Sequence, residues 1–164
     1  MTLDDWDLAD PARLVAEIAD SVPLISDTAH LAAVERPSTE QLLLHVQTLP
    51  TPARIHHHDD VRRLLAQTVR ERMPVPPLAG SRANRTGIRH ALVTVLVREG
   101  FTVMTRNEAR WLKAWRYSNH MACAYDNHLI VVTEHGWYHW PSGRGAAEPR
   151  MLPCTQRSAA TSRP

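Results

Sequence analysis

Arg106, Arg110, Lys113 and Arg116 follow one another at spacings of four, three and three. On a helix, that spacing puts all four on one face. A row of such groups suits phosphate: each guanidinium can grip a phosphate through two parallel N–H bonds, and the release of counterions drives binding. From Arg82 to Arg116 the chain carries eight basic residues, Arg85 and Arg89 among them, opposed only by Glu99 and Glu108. DNA or RNA is therefore the expected partner of the 82–116 region, with Arg85, Arg89, Arg106, Arg110, Lys113 and Arg116 as contact residues. The plainer reading is a solvated helix face in a chain where 18 of 19 basic residues are Arg.

Histidine and cysteine supply a second chemistry. His120 and Cys123 stand three apart, and His135 and His139 four apart, so the ligand count and spacing are those of a small zinc site. In zinc fingers, however, the second pair sits on a helix. Here Gly136 and the neighbouring Trp and Tyr residues point to a hairpin, with His135 in its turn. Zinc is thus a weaker expectation than nucleic acid. His56-His57-His58-Asp59-Asp60 is another donor-rich run. Consecutive histidines on a regular element point in different directions, and the two aspartates suit the start of a helix.

Aromatic residues supply the third. Eight of nine lie between Phe101 and Trp140. On an extended segment 137–140, Trp137 and His139 face one way and Tyr138 and Trp140 the other. Trp137, Tyr138 and Trp140 are therefore candidates for contact with a protein partner, since tryptophan and tyrosine anchor many interfaces. Packing in the core is the competing reading.

No phosphate-binding glycine loop, HExxH helix or nucleophile elbow occurs. Nothing names an enzyme. No apolar run approaches the roughly 20 residues that span a bilayer, so no membrane partner is expected, and no feature sets an oligomeric state. The N-terminus is acidic and lacks a basic-then-apolar leader, and Cys123 and Cys154 are far apart, which fits a reducing cytoplasm. The charge is divided. Residues 1–40 carry nine acids against Arg13 and Arg36, although the whole chain has a net charge of +2. Such a split suggests two surfaces with different partners, or one half covering the other.

The elements that would position these groups follow from punctuation. All six glycines lie at or after Gly80, and proline divides the chain before that. Pro-bounded, Gly-free segments predict successive helices. The first runs from Pro11, capped by Asp10. The second spans Leu24–Glu35. A third begins at Ser38, with Gln41 completing a capping box, and a fourth runs from Asp59 to Met73. Thr86–Glu99 predicts a helix, with a buried strand as the alternative for its β-branched run. Phe101–Thr105 predicts a short strand, and Thr105 with Glu108 opens a helix to Tyr117. MACAY, LIVVT and WYHW, ending at Pro141, predict a three-stranded antiparallel meander.

The expected fold is α+β: N-terminal helices, then a helix-turn-helix-like pair and a small antiparallel three-stranded meander. It resembles a winged helix in element order only. The expected organisation is a helical acidic region 1–78, a linker end at 79–83, a basic aromatic-rich unit 84–141 and a flexible tail 142–164. The expected role is a non-enzymatic regulatory or accessory protein that binds nucleic acid. A protein-interaction component is the alternative, and a zinc-binding protein the third.

Overall fold

The computed structural model describes residues 4, 6–77 and 89–153. Its elements are α1 (Pro11–Ser21), β1 (Thr28–Glu35), β2 (Leu42–Thr48), α2 (Asp59–Arg72), β3 (His90–Val97), α3 (Arg106–Ser118), β4 (Tyr125–Thr133), β5 (Gly136–Trp140) and β6 (Gly145–Ala146). The strands form one sheet in the order β2-β1-β3-β4-β5-β6. β3 and β4 are parallel, joined by a crossover through α3, and every other neighbouring pair is antiparallel. The fold is α+β, but the expected helical N-terminal half, helix-turn-helix-like pair and three-stranded meander are overturned by the three helices and six-stranded mixed sheet of the described residues. Strands from both sides of residues 79–83 pair with each other, β1 with β3.

The reason lies in burial. β1 and β3 occupy the middle of the sheet, and residues 29–34 and 91–97 are buried throughout. A strand covered on both faces loses its polar alternation and reads as a continuous apolar run, which periodicity alone does not distinguish from a buried helix. The expected helices over 24–35 and 86–99 are these strands. The expected helix from Ser38 is edge strand β2, mostly exposed or half-buried. Gln41 does not cap a helix of its own. It is buried, accepts the Asp10 N–H (2.8 Å) through its side-chain oxygen and donates to the Asp10 carbonyl (2.6 Å), tying the β1–β2 turn to the start of α1.

Helices cover both faces. Ala29, Leu31, Leu92, Leu96, Leu129 and Val131 point toward α2 and α3. The alternate positions, among them Ala32, Val34, Val93, Val95, Ile130 and Val132, point toward α1. Burying such stripes against two helical layers is the main force holding this arrangement. Within the expected tail, the Met151 N–H donates to Thr133 (2.9 Å) and the Leu152 N–H to Leu24 (2.8 Å), so residues 151–152 dock beside the α1 layer. The Thr86–Ile88 stretch, linker residues 79–83, Cys154 and residues 154–164 lie outside the described residues. Among the described residues, no helix is long and apolar enough to cross a membrane.

Candidate nucleic-acid interface

Helix α3 is held in one rotational setting by its buried side. Trp111, Ala114 and Trp115 lie against the sheet, the Trp115 indole N–H donates to Thr94 Oγ1 (2.7 Å), and the Trp111 indole N–H donates to the Ala53 carbonyl (2.8 Å). Its N-terminus is fixed by the expected capping box between Thr105 and Glu108. With two tryptophans pointing inward, Arg106, Lys113 and Arg116 are exposed, and Arg110 is half-buried. The Arg110 guanidinium donates to the Ile55 carbonyl (3.3 Å). Among the described residues, none of the four is paired with a carboxylate.

A second helix adds charge beside the first. A groove between α2 and α3 is lined by Arg62, Arg63, Gln67, Arg70, Glu71 and Tyr117, with Glu71 accepting from the Gln67 amide. Arg63 and Arg70 are exposed and seven residues apart, hence on one face. Arg62 is held by Asp59 (2.9 Å). Tyr117 is 51% exposed next to Arg116 and offers a ring on which a base can stack. Sequence reasoning had not picked out these residues. The 63–70 spacing marks a face, but only the tertiary packing places that face beside α3.

The acidic segment does not cover this layer. α1, with Asp10, Glu17 and Asp20 on and around it, packs on the opposite face of the sheet. Asp10, Glu17 and Asp20 thus lie across the sheet from α3, while α2 carries Asp59, Asp60 and Glu71 beside its arginines. Arg89 is exposed at the start of β3 rather than on α3, and Arg85 lies outside the described residues. Arg98, counted in the basic stretch, is buried. Its Nε donates to Glu108 (2.8 Å), and its terminal nitrogens donate to the carbonyls of Glu99, Phe101 and Val103. That clamp makes Phe101–Thr105 an irregular loop instead of the expected strand. Because β3 precedes it, α3 is not the second helix of a helix-turn-helix, and the winged-helix likeness does not hold.

The expected zinc ligands are not gathered. The His120 Nε2–H donates to the Asp126 carboxylate (2.6 Å), and the ring meets the edge of Trp115. Cys123 is half-buried, its N–H on the Pro76 carbonyl. His135 sits in the β4–β5 turn and stacks on Phe101. The hairpin explains the separation: His120 and Cys123 precede the first residue of β4, whereas His135 follows its last. No three of these residues converge; among the described residues, one His/Asp group does, His57-His58-Asp59. Of the expected aromatic contacts, Trp137 is buried and donates its indole N–H to the Glu148 carbonyl (2.9 Å). Tyr138 is half-buried, and Trp140 is 37% exposed.

His139 belongs to a different arrangement, a directed chain of hydrogen bonds. The Trp6 carbonyl only accepts, so His128 Nε2–H donates to it (2.7 Å), which leaves His128 Nδ1 as an acceptor. His139 Nε2–H donates to that nitrogen (3.0 Å), and the Ser142 hydroxyl donates to His139 Nδ1 (2.7 Å). An exposed serine on a buried imidazole has the outline of an activated nucleophile. Its electrostatics do not support that role. Burial first, then His128 and Arg144, push His139 down to about 3, far below the value near neutrality that suits a general base. The hydrogen bonds also end on the Trp6 main-chain carbonyl and not on a carboxylate that would orient the ring and stabilise an imidazolium. Their work is to fasten Trp6 and the 140–144 turn to the sheet. Comparison of the chain with family models, curated proteins and solved structures finds no match.

Proposed function

We propose that the protein is a non-enzymatic accessory or regulatory protein that binds nucleic acid through the phosphate backbone, using the outer surface of α2 and α3. The observation that carries this reading is the exposure of Arg106, Lys113 and Arg116, without a carboxylate partner among the described residues, on the side of the sheet away from acidic α1. Arg63 and Arg70 extend the charge across the groove, and Tyr117 adds a stacking surface. Backbone contacts of this kind position a nucleic acid without reading its sequence.

Lys113→Glu with Arg116→Glu tests the reading, because both side chains are exposed and neither helps to hold the fold. The double variant is expected to keep the wild-type melting temperature to within a few degrees. Its affinity for a single-stranded or duplex oligonucleotide should fall by about tenfold or more, and its dependence on salt should weaken by about two phosphate contacts. Fluorescence anisotropy measures both. Unchanged affinity in the double variant would remove α3 from the interface. A protein complex that persists in high salt would instead favour a contact surface around Trp140.

A further inference from the structure

We propose that His57, His58 and Asp59 form a transition-metal site at the corner where the chain enters α2. His57 Nδ1 lies 3.1 Å from Asp59 Oδ2, and His58 Nε2 lies 3.8 Å from Asp59 Oδ1. One donor atom from each residue falls within 4.8 Å of the other two. Ligands on a tetrahedral ion with bonds of roughly 2.0–2.1 Å stand about 3.4 Å apart, so a small closing movement of the two rings completes three corners. Consecutive histidines diverge on a regular element, but here the backbone turns from loop into helix at His58, and the two rings come together with centroids 4.4 Å apart.

The Asp59 carboxylate lies 3.1 Å from His57 Nδ1, closer than the Asp59 N–H at 3.3 Å. That nitrogen has one lone pair, so a metal ion placed between it and the carboxylate would take over the lone pair from the longer N–H contact. Asp60 is already engaged, accepting the His57 N–H (2.9 Å), and Arg62 braces Asp59 Oδ1 (2.9 Å). The His58 ring packs against Tyr117. The preceding loop is anchored by α3: the Ile55 N–H donates to Asn107 Oδ1 (2.9 Å), and Asn107 Nδ2 donates to the Ala53 carbonyl (3.0 Å). The donors therefore stand on a fixed base.

Two imidazoles and one carboxylate select zinc, cobalt, nickel or copper over magnesium or calcium. Three protein ligands leave the fourth position to water or to an incoming oxygen. The site does not depend on the nucleic-acid reading.

The test is titration of the untagged full chain with Zn2+ in competition with a micromolar chromogenic chelator at neutral pH. One equivalent is expected to bind, and binding should weaken in mild acid as protons compete for the imidazoles. His58→Ala and Asp59→Asn should each lower affinity by about tenfold or more, while His56→Ala leaves it unchanged. All three variants alter residues outside the core, and circular dichroism checks that each is folded. Failure of the wild-type chain to withdraw Zn2+ from the chelator overturns the proposal. So does equal affinity in the wild type and a His57→Ala/His58→Ala variant.

Discussion

Replacing Glu108 with alanine is expected to destabilise the protein by about 3–5 kcal/mol and to lower its melting temperature by on the order of 10 °C. Glu108 is fully buried, and Arg98 is 6% exposed, so the pair is taken out of water together. Burial alone would raise the Glu108 carboxyl. Hydrogen bonds from Arg98, Thr105 and Asn107 outweigh burial and hold it below the usual carboxylate range. Removing the carboxylate leaves a buried guanidinium without its counter-charge and also deletes half of the α3 capping box. Arg98→Met combined with Glu108→Leu should recover much of the loss, because two apolar side chains leave no charge stranded. Calorimetry on the three variants checks this. An alanine variant within 1 kcal/mol of wild type would contradict it.

Acidification from pH 7 to pH 5 is expected to lower unfolding free energy by about 4 kcal/mol. Three buried histidines act in the same direction. Burial pushes His30 down to about 4 and His139 down to about 3. His128 is also lowered by burial, against the opposing pull of the Trp6 carbonyl and Asp7. Below about 6.5 the unfolded chain takes up protons that the folded chain refuses, so stability falls as pH drops through that value. At pH 5, His30 and His139 each contribute about 2 kcal/mol to the loss, before the carboxylates begin to titrate. The hydrogen bonds agree with neutral rings: His30 Nε2–H donates to Thr28 Oγ1 (3.1 Å), whose hydroxyl is committed to the Ile25 carbonyl (2.6 Å). Urea unfolding at the two pH values measures the difference. A flat profile would mean that the buried rings are already charged or open to water.

Local signals survived the passage from sequence to structure where the element carried them itself. Pro11 with Asp10 and Thr105 with Glu108 mark the starts of α1 and α3, and the amphipathic stripe of 59–72 marks α2. The row of cations on α3 was legible for the same reason, since helical spacing alone brings Arg106, Arg110, Lys113 and Arg116 to one face. What depended on neighbours was not legible. β1 and β3 are strands because each lies between two partners, and their sequences, TAHLAAVE and HALVTVLV, carry no alternation to show it. Gln41 reads as a local cap but serves α1 from a distance of 31 residues. Whether acidic α1 shields or opposes the basic layer depends on sheet order, which no local pattern encodes. The convergence of His57 and His58 depends on the backbone direction at one corner.

The basic outer layer bears most of the functional argument, and binding as a function of salt tests it directly. Four phosphate contacts from α3 should give a slope of about −3 or steeper in log affinity against log salt on duplex DNA, with binding strongest at low ionic strength. A slope near zero, or no binding to DNA or RNA at low salt, would contradict the account.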